Sequence, residues 1–190
     1  NSVDSAELID GAVDDSHIAA LAASKLTGTV ADARISALTA SKLTGDIAVA
    51  RLPAGTVLQV VVGEATAQTV MNSTTYTQTA VSASITPSST SSKILVQLTS
   101  NLESNGAGER AKYSIHRGST NIAESHTLQP NGASGSSVFP IALQKLDSPS
   151  STSQVDYALY IKRTTATIVA NINGGSNTSM GTITLMEIAG

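Results

Sequence analysis

The apolar and polar residues of this 190-residue chain change their pattern once, at Pro53-Ala54-Gly55. Before that point the pattern repeats every 17 residues, the spacing from Gly28 to Gly45. After it, short stretches alternate between apolar and polar residues, and turns rich in Ser, Gly, Asn and Pro separate them. A fixed period indicates a unit that stacks along an axis, and alternation indicates β-strands. We therefore predict a repeat-containing shaft at 1–55 and a β-sandwich head at 56–190.

A single copy of the repeat carries too few apolar side chains to be ordered alone. Burial of about four of them stabilises a copy by less than the entropy lost when its backbone is ordered. We therefore expect identical chains to pack their apolar positions against each other in a symmetric shaft. The run from Ile18 to Leu26 fits a short helix as well as an extended chain. The predicted seam of the shaft consists of the apolar repeat positions Val13, Ile18, Leu21, Leu26, Val30, Ile35, Leu38, Leu43, Ile47 and Leu52.

The second part of the chain predicts a mainly β domain. In one stretch Ile94, Val96 and Leu98 take one side, while Lys93 and Gln97 take the other. Many short strands of this kind are typical of an antiparallel sandwich or jelly roll. The predicted strands are Thr56–Val62, Tyr76–Thr86, Lys93–Ser100, Arg110–Arg117, Asn121–Thr127, Ser137–Lys145, Gln154–Arg163, Ala166–Ile172 and Gly181–Ile188. The predicted core between the two sheets is Ile94, Val96, Leu98, Leu143, Leu159, Ile161, Ile183 and Leu185.

Composition and charge exclude several classes of function. The net charge is −3 at pH 7 and Lys and Arg form no run, which argues against nucleic acid as a partner. There is no Cys, so the chain has neither a disulfide framework nor a thiolate metal site. It contains no apolar run of about 18 residues, so we expect no membrane insertion. The chain starts at Asn1 rather than Met, and we expect it to be the ordered part of a longer protein.

Histidines and glutamates are the first candidates for catalysis or metal binding. His17, His116 and His126 lack the spacing of metal ligands, and surface or interface histidines are the simpler interpretation. Glu103 and Glu109 could form a glycosidase-like pair. Because a short hairpin loop between them offers no cleft, we interpret them first as solvated loop residues.

The Asp, Ser and Thr residues indicate a metal site or a catalytic site no more strongly than the histidines and glutamates do. Asp10, Asp14 and Asp15 carry carboxylates of the type that Ca²⁺ prefers, but their spacing matches no known loop. Ser and Thr are abundant, yet none lies in a nucleophile motif. We therefore expect no catalytic residues, no metal and no cofactor.

The repeat Ala-Ser-Lys-Leu-Thr-Gly-(Thr/Asp)-(Val/Ile)-Ala-x-Ala-Arg-(Ile/Leu) resembles the shaft repeats of bacteriophage (cyanophage-like) tail fibres and related virion fibre proteins. The phrases at 85–96 and 182–190 resemble the globular heads of these fibres. The resemblance implies a homotrimer on the virion surface, with an intertwined shaft and three jelly-roll heads of the tumour-necrosis-factor-like kind. It also implies contacts with other virion proteins through the N-terminus. The segment from Asn1 to Asp10 departs from the repeat.

The resemblance leaves two classes of function open. The first is a tail fibre whose head binds a host surface glycan or outer-membrane receptor without catalysis. The second is a structural capsid-surface fibre, or a cement or decoration protein. A polysaccharide depolymerase ranks below both, because such tailspikes generally need a long β-helix with a carboxylate-lined groove.

The direction of the predicted strands suggests where a receptor would bind. If Thr56–Val62 points away from the particle, the loops Leu102–Glu109 and Leu128–Ser136 lie at the distal tip. They carry side chains able to hydrogen-bond sugar hydroxyls, namely Glu103, Asn105, Glu109, Gln129 and Asn131. No aromatic platform accompanies them, so we expect weak binding per head and avidity from three heads. The loops Pro87–Ser92, Asp147–Ser153 and Gly174–Met180 are predicted to face the shaft.

Overall fold

The computed structural model describes residues 28, 45, 47–104, 110–128, 137–164, 170–172 and 180–190. Most of the predicted shaft seam, from Val13 to Leu43, therefore lies outside the described residues. Of the two seam positions that are described, Ile47 is 56% exposed and Leu52 is partly buried. Gly28 and Gly45 occupy equivalent positions of the repeat and share a left-handed backbone conformation, with φ of 98° and 97°. This φ favours glycine at both positions.

The described part of the chain is mainly β, and it contains no α-helix. A short 3₁₀ helix, Val49–Arg51, precedes the first strand. Alternating β-branched and polar residues then form strands, as their side-chain period requires. The strands are β1 (Val57–Ala65), β2 (Thr69–Met71), β3 (Thr77–Ile85), β4 (Lys93–Ser104), β5 (Arg110–Arg117), β6 (Thr120–Leu128), β7 (Ser137–Asp147), β8 (Val155–Arg163), β9 (Ala170–Ile172) and β10 (Gly181–Ile188).

Eight predicted strands are confirmed, with ends that shift by a few residues. The ninth, Ala166–Ile172, overlaps β9, and its first four residues lie outside the described part. Strand β2 was not predicted. The three-residue sequence of β2 is too short to show a period, and only its pairing with β9 makes it a strand.

The strands form two antiparallel sheets. Sheet A has the order β1-β10-β4-β9-β2, and β7 pairs with the other edge of β4. Sheet B has the order β3-β8-β5-β6. The two sheets contribute to one buried core, which is the arrangement expected of a sandwich.

The core consists of the inward-facing residues of both sheets. Seven of the eight predicted core residues are at most 1% exposed, so that prediction is confirmed for them. Leu143 is the exception, because it lies on the edge strand β7 and packs against the core while partly buried. The largest fully buried side chain is Tyr157 of β8. Its hydroxyl donates to the Asp147 carboxylate of β7 at 2.7 Å and so joins the two sheets.

The residues from Ile47 to Gly190 form one compact unit. Its entry and exit lie side by side, because the Gly55 N–H donates to the Ala189 carbonyl and the Ala189 N–H donates to the Thr56 carbonyl, both at 2.8 Å. Gly55 has a φ of 89°, which favours glycine at this turn. The segment before β1 is therefore fastened to the end of β10.

An irregularity in sheet B depends on a glycine in sheet A. Two extra residues of β3 lie between Gln78 and Ser82, because their partners Tyr160 and Ala158 are only two positions apart on β8. The backbone next to the bulge lies close to Gly63 of β1. A Cβ atom at Gly63 would lie 2.0 Å from the Ser82 carbonyl oxygen. Bulges of this kind bend a strand and re-aim its side chains. Gly63 is therefore required for the bulge as it stands.

Candidate functional site

Of the predicted receptor-binding residues, Glu103 is described, and Asn105, Glu109, Gln129 and Asn131 lie outside the described residues. Leu102 and Glu103 were placed in a loop, but β4 continues to Ser104 because its ladder with β7 extends to Ser137. Leu102 is fully buried and Glu103 is partly buried. That part of the loop prediction is wrong, and the role of these residues in binding stays a prediction.

The strands that flank the two predicted tip loops end at the same end of the sandwich, and the distal position of that end stays a prediction. Four strand ends flank these loops and lie at the end of the sandwich opposite Thr56, namely Ser104, Arg110, Leu128 and Ser137. At the other end, the loop Pro87–Ser92 lies beside Val49, Ala50 and Leu52.

The placement of Gly174–Met180 beside the shaft is wrong at its described end. Gly181, which comes directly after Met180, pairs with Ala65 at the far end of β1. The prediction assumes that consecutive strands alternate in direction, but β9 and β10 both pair antiparallel with β4 and so run in the same direction, toward the Thr56 end. Met180 is 47% exposed at the end of the sandwich opposite Thr56.

The outer face of sheet B carries three aromatic rings in contact, Tyr76, His116 and Tyr160, which we call the aromatic cluster. His116 stacks on Tyr160 with ring centroids 3.9 Å apart and an interplanar angle of 11°. Tyr76 meets His116 edge to face at 5.2 Å and 62°. The Lys162 ammonium lies 4.3 Å from the centroid of the Tyr76 ring, within range of a cation–π interaction.

Alternation explains why these rings lie outside the core. In β5, Tyr113 and Ile115 face inward, so Ser114 and His116 face outward. In β8, Leu159 and Ile161 face inward, so Tyr160 faces outward. Antiparallel pairing of β5 with β8 then brings the outward side chains together.

His116 is unusually buried for an outward-facing histidine. It is 5% exposed, and neither ring nitrogen makes a hydrogen bond to any described atom. Burial lowers the pKa of His116, and the nearby backbone of Ser119 offsets this only in part. The His116 ring is therefore neutral at pH 7. It lies beneath the Tyr160 ring in the aromatic stack.

Hydrogen bonds hold the two tyrosines in place. The Tyr76 hydroxyl donates to the Glu124 carboxylate, which also accepts from Lys112 Nζ at 2.5 Å. The Lys112 hydrogen bond, followed by the Tyr76 hydrogen bond, lowers the pKa of Glu124 to about 2. The Tyr160 hydroxyl donates to Gln78 Oε1 at 3.0 Å. The hydroxyl of each tyrosine in the aromatic cluster therefore has a hydrogen-bond partner within the head.

A groove of about 520 Å³ runs along the outer face of β3 and β8, beside Tyr160. Hydroxyl, amide and carboxylate groups line it, namely those of Ser82, Ser84, Gln78 and Asp156. Hydrogen bonds from Ser84 and then Gln154 lower the pKa of Asp156, so this carboxyl is ionised. We call this feature the β3–β8 groove.

The outer face of sheet A has a different chemistry. Val60, Met186, Leu95 and Leu146 stand in register across β1, β10, β4 and β7, and we call them the apolar row. Val60 is 53% exposed and Leu146 is 50% exposed. On the described part of this face the charged side chains, all near its margins, are Glu64, Lys93 and Glu103.

A buried carboxylate at the entry end of the sandwich has a structural explanation. Glu187 is fully buried, and its Oε1 accepts from the Ser88 N–H, the Ser88 hydroxyl and the Ser92 hydroxyl, each at 2.7 Å. Gln59 Nε2 donates to Oε2 at 2.6 Å. Burial raises the pKa of Glu187, but the hydrogen bonds from Gln59, Ser92 and Ser88 outweigh it and lower the pKa overall. The carboxylate fastens the loop Pro87–Ser92 to β10.

The remaining candidates from the sequence do not assemble into a chemical site. His17, Asp10, Asp14 and Asp15 lie outside the described residues. His126 is exposed on β6, opposite Lys112. Across the described ranges, no group of three or more His, Asp or Glu side chains is arranged to hold a metal ion.

The aromatic cluster was missed in the sequence, although part of its signal is visible there. Tyr160 and Lys162 alternate with the core residues Leu159 and Ile161 along β8, so the sequence shows that they lie on the opposite side of the strand. Their partners could not be found in the same way, because Tyr76 and Glu124 are 48 positions apart and meet only through sheet pairing.

Comparison with known proteins adds no relative. No protein-family model and no curated protein sequence matches this chain. In the part of the chain that the structure describes, no helix is long and apolar enough to cross a membrane.

Proposed function

We propose that this chain is a structural fibre protein of a bacteriophage virion, a homotrimeric tail fibre whose head binds a receptor on the host-cell surface without catalysis. The observation that carries the proposal is the apolar row on the charge-poor outer face of sheet A. It complements the 17-residue repeat, which predicts a shaft of identical chains.

The apolar row supports self-association of the heads. The buried core that the inner faces of the two sheets share does not include these side chains. Contiguous exposed apolar surface on a sheet marks an interaction site, and depletion of charge is typical of the centre of an interface. In a homotrimer, the partner that covers this face is the same face of a neighbouring chain or another part of that chain's head.

The strand order supports the jelly-roll head that the resemblance implies. In both sheets, strands from the first half of the domain pair with strands from the second half, as in β1-β10-β4 and β3-β8-β5. Such interleaving is expected when a long hairpin is folded over on itself, as in a jelly roll. It also brings the first and last strands together, so that a shaft before β1 enters at one end of the head.

Sedimentation velocity of the full chain tests the assembly. A trimer is expected, and a monodisperse monomer would contradict the proposal. Antibody labelling of virus particles that carry the chain tests its position. Label on the tail supports a tail fibre, label on the capsid favours the capsid-surface fibre or decoration protein, and unlabelled particles would contradict both.

Adsorption tests the receptor-binding role. The purified trimer is expected to compete with virus particles for host cells and to slow their adsorption. Unchanged adsorption at saturating trimer would contradict that role while leaving a structural role intact.

A further inference from the structure

We propose that the β3–β8 groove is a binding site for a neutral or amino saccharide. This inference deepens the proposed function, on which it rests in one respect, that the head contacts a cell surface. It places the contact on the flank of the head, on sheet B, in addition to the predicted tip loops.

Tyr160 supplies the apolar surface that a sugar ring needs. A pyranose has one face of C–H groups, and such a face packs on an aromatic ring. One side of the Tyr160 ring is covered by His116 at 3.9 Å, while the ring also lines the groove. Tyrosine offers a large contact area at a low entropy cost, and here its rotamer is already held by the hydrogen bond to Gln78.

The polar groups of the groove match the hydroxyls at the edge of a sugar. Gln78 accepts from Tyr160 through its amide oxygen, which leaves its NH₂ group as a donor. Ser82 adds a hydroxyl that both donates and accepts. The ionised carboxylate of Asp156 already accepts from Gln154 at 2.9 Å and has further lone pairs for a ligand.

Charge selects the class of saccharide. Among the described residues that line the groove, Asp156 is the one charged group. An acidic sugar would place its carboxylate or sulfate near this carboxylate, and the repulsion would weaken binding. A neutral sugar avoids that repulsion, and an amino sugar gains an attraction.

An irregularity of the β3 backbone shapes the groove. The two extra residues of β3 between Gln78 and Ser82 interrupt its ladder with β8 at the point where Tyr160 lies. Inside the bulge the Val81 N–H donates to the Thr79 hydroxyl at 3.2 Å, so the bulged backbone keeps a hydrogen-bond partner. Bulges occur next to binding sites because they re-aim side chains, and a volume of about 520 Å³ lies in the range of ligand pockets.

Binding of the full chain to an array of bacterial surface oligosaccharides, with neutral, amino and acidic members, tests the inference. We expect the wild type to bind neutral or amino members and the variant Ser82→Trp, which fills the groove, to lose at least tenfold in apparent affinity. Asp156→Asn keeps the shape of the side chain and is expected to raise binding of acidic members relative to neutral ones. Thr152→Trp, in the exposed turn between β7 and β8, is the matched control and should bind as the wild type does.

Each result decides the inference. Loss of binding in Ser82→Trp with an unchanged circular-dichroism melt supports it, and if that variant fails to fold, the altered preference of Asp156→Asn decides. Equal binding by the wild type and folded Ser82→Trp overturns it, as does binding of acidic members alone. A wild-type trimer that competes for host cells but binds no oligosaccharide overturns this inference and leaves the proposed function standing. A trimer that does neither overturns both.

Discussion

The two outer faces of the same sandwich differ in how their side chains use the surface. On sheet A the apolar row stands in register with half-exposed valine and leucine side chains and few charges. On sheet B the aromatic cluster is bound together by stacking, by the Lys112–Glu124 ion pair and by hydrogen bonds. A face of the first kind gains free energy when it is covered by another apolar face. A face of the second kind already pairs its polar groups within the head and is suited to reversible binding of a polar ligand.

We expect the largest effect from a substitution in the core, because both outer faces depend on it. Leu159 is fully buried on β8, and Leu159→Ala should lower the free energy of unfolding by about 2 to 5 kcal/mol, because it leaves a cavity in the core. Thermal melting measures the change. Thr152→Ala in an exposed turn should stay within about 0.5 kcal/mol of the wild type. A melting curve of Leu159→Ala that matches the parent would contradict the common core.

The second prediction separates the faces by disturbing sheet A alone. Leu146→Glu places a charge in the apolar row, and burying it against another head would be unfavourable, so we expect weaker assembly of the heads. The midpoint of thermal dissociation of the trimer, followed by sedimentation or light scattering, should fall. Thr152→Glu adds the same charge outside this face and should assemble normally. If Leu146→Glu assembles as stably as that control, sheet A is not the contact between heads.

The third prediction concerns a substitution in sheet A that is expected to change the structure of sheet B. Gly63→Ala would bring a Cβ within 2.0 Å of the Ser82 carbonyl, so the bulge of β3 must shift. We expect a loss of about 1 to 3 kcal/mol, as for other overpacked sites, together with weaker binding in the β3–β8 groove. Thr152→Ala, in an exposed turn away from the bulge, is the control and should leave both stability and binding unchanged. Unchanged stability and binding in Gly63→Ala would show that the bulge does not depend on this contact.

The smallest expected effect is a pH dependence that belongs to sheet B. The pKa of His116 is lowered in the folded state from an ordinary value of 6.5, so below pH 6.5 the unfolded chain binds a proton that the folded chain does not. Stability should therefore decrease as pH falls from 6.5 toward the folded pKa. Among its neighbours, the pKa of Tyr76 is raised above its ordinary value and the pKa of Glu124 is lowered to about 2, so neither group changes its charge in this range.

Melting between pH 7.5 and 5.5 measures this slope. His116→Phe keeps an aromatic ring in the stack without a titrating group and should flatten it. A slope that is the same in both proteins would assign the pH dependence to other residues.

The candidate site was predictable only where its signal is local. The alternation of β8 places Tyr160 and Lys162 on the outside, and the structure confirms this. The length of β4 was underestimated because Asn101 to Ser104 alternate weakly, and the ladder with β7 carries the strand onward. The bulge in β3 cannot be predicted from the pattern of Thr77 to Ile85, because it is a shift in the pairing register between β3 and β8.

The sequence alone was enough to predict the change of pattern at Pro53, eight of the strands and seven of the sixteen buried residues of the described core. These properties depend on the spacing of apolar residues along the chain, and that spacing sets which side of a strand each residue takes. The tertiary structure decided which strands are neighbours, and with them the aromatic cluster, the β3–β8 groove and the apolar row. Each of these features joins residues that are distant in the chain, and the free energy that selects a pairing comes from the fit of whole sheets around one core.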